Sequence, residues 1–408
     1  MIDAAVHRMS KLVNMQLVAA ISLSTAGYLF YNIMPVFLGS LQDSYGLSNA
    51  QIGFIGSSFF VGFNIGGASA FFWVRKLAFR TTAAVSCSFF YVTLIAALIN
   101  HEFVFLLGTI LGLGVASGAL AAIGTTVVAD FEHSTKWLGV KVAMECFAGT
   151  LLLFILPVTL VAMYGYSGSV YGMMISCAVL FSTLFSLSGR VTSSPRLSKS
   201  PGVMDLTAEP AVAERLALRP VPGERRSKTG AVLALVALGL FFAGGSAVWA
   251  FAERIGADAA LAPGTVGLIL GVSLIFASIG ALVVGPLGGR CGVRVTSVIY
   301  AVFSIVGVAF MVLASTSVLY YAMGAALFMV GWGGCNPLLC AKVVQNDVGG
   351  RLVSQAVPAI GVGSVIGPAL GGLVFGSEGV VDLRGVAILL IASSALLCLI
   401  LPGTDRTR

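Results

Sequence analysis

Charge is what this chain lacks. Asp, Glu, Lys and Arg together make up 10% of its 408 residues, against about a quarter in a soluble globular domain. Acidic residues number 16 and histidines three, too few for a conventional water-facing surface. No nucleophile stands in a pattern with His, no glycine-rich phosphate loop is present, and no basic patch interleaves with aromatics, so an enzyme and a nucleic-acid partner are both excluded. The seven cysteines, Cys87, Cys146, Cys177, Cys291, Cys335, Cys340 and Cys398, lie in apolar runs or basic loops. None has metal-type spacing with a histidine, so neither a metal site nor a disulfide framework is expected, and no cofactor is implied. The first apolar run is full-length and lacks a small-residue cleavage site, so no cleaved signal peptide is expected.

What the chain has in abundance is long apolar sequence: 58% hydrophobic residues and a mean hydropathy of +1.01. Twelve runs of bilayer-spanning length occupy roughly 14–38, 50–72, 80–99, 103–128, 139–163, 168–188, 229–254, 264–288, 294–314, 318–342, 352–376 and 383–402. Backbone groups in lipid must be satisfied within the segment, which makes these runs helices. The 50 glycines fall mainly inside them, where they allow close helix approach. Between Arg190 and Lys228 the pattern breaks. Pro195, Pro201, Pro210, Pro220 and Pro222 stand there among serines and charges, the composition of a linker, with Leu206–Leu218 able to form a short surface helix. The expected organisation is a six-helix bundle over 1–189, a cytoplasmic linker over 190–228 and a second six-helix bundle over 229–408.

With the N-terminus in the cytoplasm, every Lys and Arg except Arg254 and Arg384 falls on the inner side. Asp43, Glu102, Glu253, Asp258, Glu378 and Asp382 fall outside. That bias sets both termini inside, in a multi-pass protein of the plasma (bacterial inner) membrane.

The chain also repeats itself. Gly53, Ile65, Gly66, Lys76 and Arg80 align with Gly267, Ile279, Gly280, Arg290 and Arg294, 214 residues later. Repetition at half the chain's length describes two related bundles. The stretch Gly285-Pro286-Leu287-Gly288-Gly289-Arg290-Cys291-Gly292-Val293-Arg294 resembles motif A of the major facilitator superfamily, Gly-x-Leu-x-Asp-Arg-x-Gly-x-Arg/Lys. Gly285, Leu287, Arg290, Gly292 and Arg294 match, with Gly289 at the Asp position. In the first half Lys76 and Arg80 survive and Arg75 takes the Asp position. The resemblance covers the whole chain and implies an all-α membrane protein of twelve transmembrane helices in two pseudo-symmetric bundles. It also implies that the motif latches one conformation, with glycines letting helices cross beneath the loop and arginines reaching helix ends and carboxylates. The loop carrying Asp130, Glu132, His133 and Lys136 is read as solvated or as a partner of the neighbouring basic loop. Gly363-Ser364-Val365-Ile366-Gly367-Pro368-Ala369-Leu370-Gly371-Gly372 resembles the family's glycine–proline motif. That motif marks drug–proton antiporters when it lies in helix five, where this chain has only Gly149 and Pro157. Gly363, Gly367 and Pro368 form either a kinked packing surface or a hinge.

Glu145 is the one acid placed well inside an apolar run, one or two turns from the inner face on this reading. An intramembrane carboxylate is by default functional, and one withdrawn from water takes up a proton readily. The alternative is a structural pair with Lys141, four residues earlier, near the interface. Thr25, Tyr28 and Asn32 share one face of the first segment, beside Tyr31; Phe242, Ser246, Trp249 and Glu253 share one face of the seventh. In the family, helices one, four, seven and ten line the cavity, so the resemblance turns these stripes, with Trp332 and Asn336 of the tenth segment, toward substrate. Trp249 reads equally as an interfacial belt residue, and Glu253 with Arg254 as a solvated surface pair.

The resemblance implies a secondary transporter working by alternating access and functioning as a monomer in the lipid bilayer, with a transmembrane proton gradient as the energy source. The aromatic stripes suit a small, partly apolar organic solute. No Lys or Arg was placed at mid-membrane, which argues against carboxylate uptake. Multidrug efflux, or a transporter-like sensor or scaffold without flux, are the alternatives.

Overall fold

The computed structural model describes residues 2–131, 134–187, 228–313, 317–347, 352–378 and 380–401. Glu132, His133 and nearly all of the expected linker lie outside these residues. Among them every regular element is helical. Twelve helices have the length and composition to cross a membrane: α1 Met15–Tyr45, α2 Asn49–Trp73, α3 Phe79–Ile99, α4 Phe103–Ala129, α5 Lys136–Val158, α6 Tyr166–Ser186, α7 Lys228–Asp258, α8 Pro263–Gly288, α9 Arg290–Met311, α10 Val318–Asn346, α11 Val353–Phe375 and α12 Leu383–Ile400.

Local chemistry explains several boundaries. Gly46 takes a left-handed φ of 63° between α1 and α2. Ser48 and Gln51 then cap each other's backbone N–H groups, at 3.2 and 2.9 Å, to start α2. Gly292, at φ 80° and ψ 155°, breaks the first turn of α9 in a helical run otherwise continuous from α8. An L-residue with a side chain is strained there, so this glycine sets the turn in the motif-A loop.

Packing divides the described helices into two compact units that do not follow the chain's halves. The first holds α1 up to Asn32, α2 from Ser58, α3, α4, α5 up to Ala148, and α6 from Ser167. The second holds Ile33–Ser57, Gly149–Tyr166 and α7 to α12. In the first unit, α2 and α4 interlock through two glycines each. Gly62 and Gly66 sit against the Leu111 and Val115 carbonyls, and Gly114 and Gly118 against those of Phe59 and Phe63. Such small-residue seams let helices without a hydrophobic driving force gain van der Waals contact.

The second unit contains two related crossings. Gly53 of α2 lies against the Pro368 carbonyl and Gly372 of α11, and Gly267 of α8 against the Leu153 carbonyl and Pro157 ring of α5. Gly53 and Gly267 are equivalent positions of the repeat. Ser57 is spliced into the α11 ladder beside Pro368. Its hydroxyl donates to the Val365 carbonyl at 2.6 Å and accepts from the Ala369 N–H at 2.8 Å, so it bridges the donor and acceptor of one helical step. At the other crossing Thr150 donates to the Gly271 carbonyl at 2.8 Å. These crossings pack the first turns of α2 and the last turns of α5 with the C-terminal helices.

Candidate functional site

The first unit holds two charges away from water. Lys141 and Glu145 stand one turn apart on α5, Nζ to Oε1 at 3.1 Å, with side chains 1% and 8% exposed. Ser24 of α1 donates to the same Glu145 oxygen at 2.6 Å, and the Asn32 amide donates to the Glu145 backbone carbonyl at 2.9 Å. The Lys141 ammonium lies 5.3 Å from the centroid of the Tyr28 ring, within cation–π range. Ser24, Tyr28 and Asn32 follow at steps of four, so α1 turns one polar face to α5. Thr25 beside them is buried, and its hydroxyl finds no partner among the described residues.

The depth of the pair corrects the sequence reading. Ser24 and Asn32 bracket Glu145, and Tyr28, midway between them, stands within about one turn of the centre of the 31-residue α1 span. Glu145 therefore stands near the middle of the α5 span Lys136–Val158, and the Lys141 ammonium, which comes from about one turn nearer the start of the helix, is drawn to it in the protein interior. The α5 span begins at Lys136, ahead of the position expected from the apolar run, which sets both residues further along it. Two charges buried together are tolerated because they neutralise each other and because Ser24 and the Tyr28 ring solvate them. Removing one partner of such a pair typically costs about 3–5 kcal/mol.

Around this cluster Tyr28 packs on Phe63 at 5.3 Å and Tyr31 edge-on to Phe60 at 5.7 Å. Both tyrosines are half-buried. Aromatic rings thus lie beside the buried charged pair.

The C-terminal stripe is assembled separately, in the second unit. Phe242 meets Trp332 at 4.8 Å, and Phe241 and Phe328 complete the aromatic group. Ser246 spends its hydroxyl on the Phe242 carbonyl at 2.6 Å and faces Gly363 and Gly367 of α11. Trp249 is 2% exposed, a packed residue in place of a belt residue. The Asn336 side-chain oxygen accepts from the Cys340 thiol at 3.7 Å.

Glu253 and Arg254 do not form the expected solvated pair. Arg254 bonds Asp43 at 2.8 Å and Glu253 at 2.9 Å, with its own side chain 16% exposed, and so clasps the end of α1 to the end of α7 within the second unit. Nothing in the sequence joins Asp43 to Arg254. Ser24 was also missed, although its place four residues before Tyr28 was the available signal.

The basic loops show how the motif is used. Arg75, at the position the family gives to Asp, forms two bonds to Asp130, at 2.6 and 2.9 Å. Arg294 donates to the Leu399 carbonyl at the end of α12, where a cation meets the negative end of the helix dipole. Arg290 is exposed, and Gly285 faces open space. The close crossing on α8 is made instead by Gly280, against the Val330 carbonyl of α10.

Twelve apolar helices with buried glycine seams and a buried charged pair define a polytopic membrane protein. No family model and no curated protein matches the sequence. Among solved structures, the nucleoside transporter NupG is similar at a TM-score of 0.70 and 15% identity, over 94% of this chain and 97% of that one. The xylose transporter XylE from E. coli aligns at 0.68 and 14%, over 98% and 100%. The human organic anion transporter MFSD10 aligns at 0.60 and 15%, over 95% and 99%. The chain has the major facilitator superfamily fold along nearly its whole length.

Proposed function

We propose that this chain is a secondary transporter that moves a small, partly apolar organic solute by alternating access, with both termini cytoplasmic, as a monomer in a bacterial inner membrane. Proton coupling resides in Glu145. The observation that carries this reading is the buried Lys141–Glu145 pair. A buried carboxylate beside half-buried aromatic side chains is the equipment a coupled carrier needs. The fold supports the reading, since its solved neighbours include a D-xylose–proton symporter. Thr25, Tyr28, Tyr31 and Asn32 are the solute contacts proposed in the first unit, and Phe242, Ser246, Trp249, Trp332 and Asn336 those in the second. Gly292, Arg294, Gly363, Gly367 and Pro368 shape the moving helices, while Gly285 and Arg290 flank the loop.

A thermal-shift screen of small organic solutes on the detergent-solubilised protein identifies a ligand by the stability it adds. Flux of that ligand into proteoliposomes under an imposed pH gradient then tests the function. The expected result is accumulation that a protonophore abolishes and that Glu145→Gln loses. Binding without flux in the wild-type protein would make the chain a sensor or scaffold and end the transporter reading. Full gradient-driven accumulation by Glu145→Gln would remove Glu145 as the proton carrier.

A further inference from the structure

The buried pair holds one positive and one negative charge and is neutral as it stands. Consider what each loading event does to that balance. A proton arriving alone on Glu145 leaves Lys141 as an uncompensated cation, 1% exposed and facing the Tyr28 ring. An anion arriving alone meets a lysine already neutralised by Glu145 and leaves a net negative charge. A proton and an anion arriving together restore neutrality: the proton takes Glu145, and the anion takes the place at Lys141 that the carboxylate gave up. Burial of an unpaired charge is strongly unfavourable, so the two single loadings are disfavoured and the joint one is favoured.

The neighbouring titratable groups do not disturb this balance. From α1 the site is faced by Tyr28 and Tyr31, from α2 by Phe60 and Phe63, and on α5 Cys146 lies beside Tyr31. Phenols and thiols of this kind are neutral at physiological pH. Ser24 and Asn32 supply hydrogen bonds without charge. The rings of Tyr28, Phe60, Tyr31 and Phe63 set what lies behind the anionic group.

We infer that the solute is a monoanion with an aromatic or apolar body, bound through Lys141, and that it loads together with one proton on Glu145. This rests on the transporter reading and names the substrate class for the same site. It reverses the sequence-based argument against carboxylates, which assumed that no deep cation exists. Transport is then electroneutral, driven by a pH gradient and indifferent to membrane potential.

The test uses the full chain in detergent with three probes: benzoate, benzenesulfonate, which remains an anion, and uncharged benzamide. Dissociation constants are measured by calorimetry at about pH 5.5 and about pH 7.5. Wild-type protein is expected to bind benzenesulfonate at least roughly tenfold more tightly at the lower pH, because the site must gain a proton to accept it. Glu145→Gln, which imitates the protonated carboxyl, is expected to bind both anions equally at the two pH values. Lys141→Met is expected to bind neither. Benzamide binding as tightly as the anions would overturn the inference, as would an unchanged pH dependence in Glu145→Gln or failure of that variant to bind either anion. The last two outcomes decide the matter even if Lys141→Met does not fold. Gradient-driven flux of a neutral solute would sink the anion inference and leave the transporter intact; tight anion binding without flux would do the reverse.

Discussion

The repeat allows the two α1/α5-type seams of the molecule to be compared position by position. Tyr28 and Asn32 of α1 correspond to Phe242 and Ser246 of α7, while Lys141 and Glu145 of α5 correspond to Gln355 and Ala359 of α11. Both seams use a side chain from the first helix of the pair to reach the backbone of the other. Asn32 donates to the Glu145 carbonyl at 2.9 Å, and Ser246 lies 3.5 Å from the Gly363 carbonyl. The first seam holds a charged pair and its hydrogen bonds. The second is closed by Gly239 on Ala359 and by Gly363 and Gly367 against α7, with an aromatic group around Trp332. Duplication supplied the same crossing twice, and only the first copy carries ionisable chemistry. On the proposed function, coupling is assigned to the first of these seams, while the second unit holds buried charges elsewhere, at Lys342 and at the Arg254 clasp.

This contrast can be broken in graded steps. The largest effect is expected on transport: Glu145→Gln should reduce pH-driven accumulation to background, whereas Ser394→Ala, which removes a packing bond to the Ala237 carbonyl of α7 and touches none of the proposed solute contacts, should leave it within about twofold. The next is on stability. Lys141→Met and Glu145→Leu should each destabilise the protein by about 3–5 kcal/mol, while the double substitution recovers most of that loss. Thermal unfolding in detergent measures all three. A smaller loss, about 1–3 kcal/mol, is expected for Gly367→Ala, since a methyl there meets the Ser246 hydroxyl and the Ala243 carbonyl. Its cycle with Glu145→Gln should show no coupling, because the two sites share no partner. The smallest belongs to Arg75→Ala. The Arg75–Asp130 pair is partly exposed, with the arginine side chain 36% accessible, and such pairs contribute at most about 1 kcal/mol in water. That contribution should fade further as salt is raised.

The sequence made the fold legible because lipid imposes a length on every apolar run, and the repeat made the duplication legible. Within the site, the i,i+4 spacing of Lys141 and Glu145 was readable, but their depth was not. The α5 span starts at Lys136, within polar residues that hydropathy alone assigns to a loop, and the pair lies further along the helix accordingly. The Arg254–Asp43 clasp joins residues 211 positions apart, and the Ser57 splice joins α2 to a kink in α11. Neither leaves a local periodic signal, since both arise from which helices cross. The arginine at the motif's Asp position was visible, whereas its partnership with Asp130 required the loop to be folded.

The most direct test is to count protons as an anion binds. Benzenesulfonate is added to weakly buffered wild-type protein near neutral pH, and proton uptake is followed with a pH indicator. One proton should enter for each anion bound, and Glu145→Gln should bind the anion while taking up none. Anion binding by the wild-type protein without proton uptake, or the same uptake in Glu145→Gln, would contradict the assignment of coupling to the Lys141–Glu145 pair.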